Sequence, residues 1–181
     1  RESGRGFMLL SRCDSTLRGH YPLETEVLRR ELEAAGLAVD GEVLCPFFKE
    51  GGRFTLGGVH YVLQGRELIP AAETEFAADK TFGYRSSYLP DYIEEKTLGA
   101  SPASEVLLIP IEQLRALDYD GIAEKLCSVR GFGKVCVDAV DYCDVKVFSV
   151  ALYRAAARGR RFLFRTAASL VKALGLSLIH I

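Results

Sequence analysis

A chain of 181 residues with 49% hydrophobic, 26% charged and 10% aromatic residues has the make-up of one globular domain large enough to bury a substantial core. Disordered, collagenous and coiled-coil chains are excluded. With 23 Lys and Arg against 24 Asp and Glu, the net charge of −1 also rules out the broad basic footprint of a binder of nucleic acid or anionic membranes.

The first apolar run, Phe7-Met8-Leu9-Leu10, has the pattern of a strand buried on both faces. Across residues 22–35, Leu23, Val27, Leu28, Leu32 and Ala35 recur at helical spacing. Pro22 suits the first turn, Glu24 and Glu26 the positive end of the helix dipole, and Gly36 the stop. Residues 43–48 read as a second buried strand. The next stretch, 51–68, alternates around Gly57-Gly58 and Gln64-Gly65, which predicts a β-hairpin excursion around residues 53–68.

A polar connector with Thr74, Glu75, Asp79 and Lys80 leads to a helix near residues 88–95. Residues 105–109 form a strand closed by Pro110, and a helix is expected within 111–129. Residues 134–138 are the next strand. Asp141 caps a helix whose Val145, Phe148, Leu152, Ala155 and Ala156 share a face, ended by Gly159. Residues 161–165 are a strand, Thr166 a cap, 167–174 a helix and Gly175 its stop. Residues 176–181 read either as the start of another strand or as a foreign or truncated end. This alternation predicts an α/β fold, a mostly parallel sheet with helices on both faces.

No apolar run approaches the ~20 residues that span a bilayer. Residues 1–6 lack the apolar core of a secretory leader, and Arg1 is not an initiating methionine, which leaves an earlier beginning open. The five cysteines (Cys13, Cys45, Cys127, Cys136 and Cys143) contain no CxxC pair. Such usage suits a reducing, cytoplasmic location and indicates neither a zinc site nor a disulfide framework.

In an open parallel sheet, ligands bind beyond the carboxyl ends of the strands. The loops there carry Asp14-Ser15-Thr16-Leu17-Arg18-Gly19-His20, then Lys49-Glu50-Gly51-Gly52-Arg53, then Asp138 with Asp141, then Arg165-Thr166. Three of the four bring a fixed positive charge to one edge, which suggests an anionic small ligand. Asp14, Ser15 and Thr16 offer hydroxyl-binding groups, and Arg18 offers a fork for a carboxylate or phosphate. That kit suits a small polyhydroxy acid. The plainer alternative is that Asp14 and Ser15 cap a turn and Arg18 lies on the surface. His20 and His60 are weighed between ligand contact and packing, and Thr74 and Glu75 between closing over a ligand and an ordinary turn. Asp138 and Asp141 read as capping residues, and Cys13 is the cysteine adjacent to the loop.

The segment Asp14-Ser15-Thr16-Leu17-Arg18-Gly19 resembles the signature of the four-carbon acid sugar kinases. Two further blocks resemble the same family: Gly52-Arg53-Phe54-Thr55 with Val59-His60-Tyr61-Val62 and Glu73-Thr74-Glu75-Phe76-Ala77, and then Phe162-Leu163-Phe164-Arg165-Thr166-Ala167-Ala168-Ser169. The resemblance implies an ATP-dependent kinase that phosphorylates the terminal hydroxyl of threonate, erythronate or an oxo-tetronate. It implies two domains, with residues 7–175 part of the N-terminal, acid-sugar-binding one and a C-terminal nucleotide-binding domain, absent here, holding most of ATP and Mg. By the family pattern, residues 14–18 contact substrate, and the match raises Arg53 above Lys49. The expected substrate-binding set is Asp14, Ser15, Thr16, Leu17, Arg18, Arg53 and Arg165, with Asp14 either a hydroxyl anchor or the catalytic base. No residue of this stretch is expected to bind cofactor or metal, and no GxxxxGK[ST] loop is present.

Two departures stand out: the family's opening strand with its acidic motif has no counterpart, and Ser11-Arg12 replace the lysines many members carry. Alone, this stretch is not expected to phosphorylate anything. The expected partner is a small acid sugar, without nucleic acid or membrane, and a homo-oligomer is left open. The rival reading is a non-catalytic binding domain for a small hydroxy acid.

Overall fold

Five strands form one parallel sheet in the order β1-β8-β2-β7-β6, and three more form an antiparallel sheet, β3-β4-β5. The structure, a computed structural model, describes residues 7–177. The strands are β1 (Leu9–Arg12), β2 (Gly41–Cys45), β3 (Arg53–Leu56), β4 (Val59–Gln64), β5 (Glu67–Pro70), β6 (Leu107–Ile109), β7 (Gly133–Val137) and β8 (Phe162–Thr166). The helices are α1 (Leu23–Ala34), α2 (Leu89–Lys96), α3 (Ile111–Arg115), α4 (Tyr119–Ser128), α5 (Tyr142–Ala157) and α6 (Ala168–Ser177).

The period-two pleat sorts the central strands' side chains between two apolar layers. Val43, Val135 and Phe164 pack with Ile122, Phe148 and Leu170 of α4, α5 and α6. On the opposite face, Leu44 and Cys136 meet Leu17, Val62 and Tyr92, while Leu163 meets Leu28 and Leu32 of α1. Helices therefore cover both faces, as expected. Each large apolar side chain so buried contributes about 1.5–3 kcal/mol.

The predicted hairpin has a third strand, β5, paired to β4. Gly57 and Gly58, with φ of 59° and 76°, make the two-residue turn between β3 and β4, whose positive φ at both central positions favours glycine. Reciprocal backbone hydrogen bonds between Thr55 and Ala139 (both 2.9 Å) dock this small sheet onto the carboxyl end of β7.

Several expectations are corrected. The first strand, β1, starts two residues later than the apolar run, lies at the sheet edge and is only half buried, because strand β8 flanks it on one side alone. Residues 111–129 hold two helices, because Leu117 turns into left-handed backbone (φ 56°) and Asp118 caps a new start by accepting the Gly121 N–H at 2.9 Å. In α1, Leu23 and Val27 are exposed, and it is Thr25 that is fully buried, its hydroxyl satisfied by the Pro22 carbonyl at 3.1 Å. Gly36 does stop α1: its N–H bonds the Glu33 carbonyl and that of Leu37 the Leu32 carbonyl, both at 2.9 Å. Helix α6 runs past Gly175 to Ser177, so residues 176 and 177 do not start a strand, and residues 178–181 lie outside the described residues. The Thr166 hydroxyl donates to the Cys45 carbonyl at 3.0 Å, tying β8 to β2. No helix among the described residues is long and apolar enough to cross a membrane.

Candidate functional site

Beyond the carboxyl end of β1 the chain turns sharply, with Leu17 in left-handed backbone (φ 68°) and its side chain buried. Four successive carbonyls of this loop are taken by side chains from distant elements. His60 of β4 bonds the Ser15 carbonyl (2.7 Å), Tyr84 that of Thr16 (2.9 Å) and Tyr92 of α2 that of Leu17 (2.7 Å). Arg165 Nη2 reaches the Leu17 carbonyl at 3.3 Å and that of Arg18 at 3.0 Å. The loop backbone is therefore held from behind in a fixed shape, the preorganisation a small-ligand site requires.

His60 performs this task as a neutral ring. With Nε2 donating to the Ser15 carbonyl, Nδ1 is left to accept from the Thr55 hydroxyl at 3.0 Å. Burial drives its pKa down to about 4, against the pull of the Ser15 carbonyl. The unfolded chain takes up this proton near pH 6.5, so the stabilisation is complete above that value and is lost as pH falls toward 4. The loss amounts to roughly 3 kcal/mol. Urea unfolding across this range is expected to show the decline in wild type and a flatter slope in His60→Gln; equal slopes would show that other groups carry it.

In front of the loop lies a cavity of about 410 Å³. It is lined by Arg12, Arg18 and Arg165, by the acidic Asp14, Glu24 and Asp79, and by His20 and Phe82, packed edge to face at 4.9 Å. Arg18 Nε donates to Asp14 Oδ2 at 2.7 Å and to Thr16 Oγ1 at 3.0 Å, while its Nη1 lies 3.8 Å from Asp79. Burial opposes the charge on Asp14, yet hydrogen bonds from Thr16 and Arg18 hold its carboxyl below the usual range. Asp79 Oδ1 is spent on the N–H groups of Thr81 and Phe82, both at 2.9 Å.

Among the sequence-predicted residues, Asp14, Arg18 and Arg165 line the cavity. Thr16 and Leu17 are buried behind it, and Ser15 serves through its carbonyl. Arg53 stands alongside: its guanidinium and that of Arg18 both face the Phe76 ring, at 5.3 and 5.0 Å. Lys49 turns away, pairing with Asp141 at the start of α5, and Glu50 bonds Tyr142 (2.6 Å) and Lys172 (3.4 Å). The expected convergence of three charged loops is thus a convergence of two, with Arg53 beside them.

Asp141 caps α5 in a reciprocal box with Asp144, and buried Asp138 accepts three backbone N–H groups, so both are capping residues as read. Thr74 bonds the Ala71 carbonyl (2.6 Å) and Glu75 accepts from Gln64 (3.5 Å), the ordinary turn role.

Glu24, Asp79 and Phe82 are cavity residues that periodicity assigns to a helix dipole and a connector. A second omission had a legible signal: Glu42 and Lys134 are opposite charges inside apolar strands, and they face each other in the β2–β7 register. Among the described residues no group of three or more His, Cys, Asp or Glu side chains is arranged to hold a metal ion.

Residues 1–174 match a family model described as a sugar-binding N-terminal domain. A Haemophilus influenzae protein assigned to a family of unknown function shares the fold, with a TM-score of 0.67, 18% identity, and coverage of 97% of this chain and 40% of that one. A Bordetella bronchiseptica domain of unknown function, solved with bound citrate as a domain-swapped dimer, is 25% identical, with a TM-score of 0.65 and coverage of 97% and 38%. Its second crystal form gives a TM-score of 0.64 at the same 25% identity, with coverage of 96% and 36%. The chain thus spans about two fifths of the length of these solved proteins. No curated protein shows a significant match.

Proposed function

The chain belongs to the family of sugar-binding N-terminal domains, and we propose that its cavity holds a four-carbon acid sugar as the substrate-binding part of an ATP-dependent kinase. The observation that carries this reading is the mixture of charges around one small cavity. Three arginines suit the acid end of such a ligand, and the Asp14 and Asp79 carboxylates suit its hydroxyl groups. A purely anionic ligand would not call for Asp14 and Asp79, and a neutral sugar would not call for three arginines. The citrate on the Bordetella bronchiseptica relative supports an acid ligand.

In this reading, Arg18 grips the ligand carboxylate and exchanges its 3.8 Å contact with Asp79 for it. Asp14 accepts from a ligand hydroxyl. Its depressed pKa makes it a weak general base, which favours an anchoring role over proton abstraction. The rigid loop then sets the direction of the terminal hydroxyl, and phosphoryl transfer depends mainly on such positioning. The sequence holds no GxxxxGK[ST] loop, and the described residues gather no donor set for magnesium, so no step through nucleotide or metal is assigned to them. ATP and Mg belong, in this proposal, to a nucleotide-binding domain of a longer protein.

Arg18→Ala is expected to weaken threonate or erythronate binding by roughly ten- to a hundredfold, the equivalent of about 1.5–3 kcal/mol for a charge-assisted contact. Isothermal titration measures it. An unchanged affinity rejects the Arg18 clamp, and absence of any heat with tetronates in wild type rejects the acid-sugar reading.

A further inference from the structure

Arg165 is 4% exposed, yet one nitrogen of its guanidinium is left without a hydrogen bond. Nη2 holds the Leu17 and Arg18 carbonyls, whereas Nη1 is buried and makes no hydrogen bond. A buried, charged donor without a partner is costly, and native proteins leave one mainly where a ligand, ion or water completes it. Arg165 lines the cavity, and the Tyr21 ring, 4.9 Å from the guanidinium carbon, supports the plane from the side. The nearest carboxylate, Glu24, does not complete it either. Glu24 accepts from the Ser11 hydroxyl and, at 3.4 Å, from the Cys13 thiol, which holds its Oε2 3.9 Å from Nη1, beyond hydrogen-bonding distance.

We propose that Arg165 Nη1 is a second acid-binding donor of the cavity, seating an oxygen of the ligand's carboxylate, and that Glu24 competes with the ligand for it. This rests on the acid-ligand reading and adds to it. The anion is gripped from two sides, by Arg18 on the loop and by Arg165 from the sheet. The same Arg165 side chain sets the loop's shape through Nη2, so ligand grip and loop geometry are coupled through one rigid plane. The seat accepts organic acids, and Glu24 tunes how strongly they bind.

The decisive substitution is Glu24→Gln, whose side chain is 40% exposed in the parent and whose amide oxygen still accepts from Ser11, so the fold is preserved. Removing the competing charge is expected to tighten threonate and citrate binding to the full chain by about three- to tenfold. Glu31→Gln, which removes an exposed charge on the same helix, is the control and is expected to leave affinity unchanged. Arg165→Lys, with folding checked by thermal unfolding, is expected to weaken binding by about tenfold or more, since an ammonium cannot serve loop and ligand together. Should Glu24→Gln leave acid affinity unchanged or weaker while Arg18→Ala still lowers it, Nη1 is simply hydrated and the second seat is overturned with the acid-ligand reading intact. If wild type binds neither acid, both fall.

Discussion

Asp138→Ala is expected to cost about 2–5 kcal/mol of stability, because it strands two buried backbone donors and a third that is partly exposed. The carboxylate accepts from Gly57 at 2.8 Å and Gly58 at 2.9 Å, the turn of the antiparallel sheet, and from Ile111 at 3.1 Å, the first residue of α3. Each abandoned donor carries a penalty of about 1–3 kcal/mol, and a small domain has only about 5–15 kcal/mol in total. Asp138→Asn keeps the shape and one acceptor oxygen but sets an amide N–H₂ against a donor, and is expected to lie between Ala and wild type. Urea unfolding reads both as a lower midpoint with an unchanged slope. A loss below about 1 kcal/mol for the Ala variant would mean that the turn finds other acceptors. The consequence reaches the cavity, because the sheet pinned by Asp138 carries His60, which holds the Ser15 carbonyl.

The second large effect concerns the pair beneath the site. Lys134 Nζ donates to Glu42 Oε2 at 2.6 Å, with side-chain exposures of 6% and 0%. The Tyr21 hydroxyl also reaches Glu42, at 3.3 Å, and the Phe132 ring lies 3.9 Å from the ammonium. Breaking one side leaves an uncompensated buried charge, so Lys134→Met is expected to destabilise by about 3–5 kcal/mol at neutral pH. Replacing both, Lys134→Met with Glu42→Leu, is expected to return within about 1–2 kcal/mol of wild type, since an apolar pair of similar volume avoids the desolvation cost. A double-mutant cycle from unfolding curves measures the coupling. Simple additivity of the two single losses would show that the pair does not act as a unit. Because Tyr21 also supports Arg165, the single variant is further expected to weaken acid binding, whereas Glu31→Gln is not.

Much of the scaffold was readable from residue order. The run Val43-Leu44-Cys45, the alternation around Gly57-Gly58, Gly36 after α1 and Asp141 before α5 all specify local structure through backbone preferences that act over a few residues. The hexapeptide 14–19 likewise marks the loop where Asp14 and Arg18 meet the cavity. Less was readable where a side chain's role depends on what faces it. The apolar spacing of residues 111–129 does not reveal the break at Leu117, and that of α1 does not show that Leu23 and Val27 face outward while Thr25 packs inward.

The boundary between the two kinds of information is physical. Periodicity and capping follow from contacts within about one turn or one hairpin, so the chain alone dictated a parallel α/β scaffold and the polar loop after its first strand. Partnership across the sheet depends on strand order, which brings β8 between β1 and β2. That order places Arg165 behind a loop 147 residues away, sets Glu42 opposite Lys134, and sends Lys49 to Asp141 rather than to the cavity. No local preference encodes such encounters. They arise only when distant strands register, and they decide which charges are free to meet a ligand.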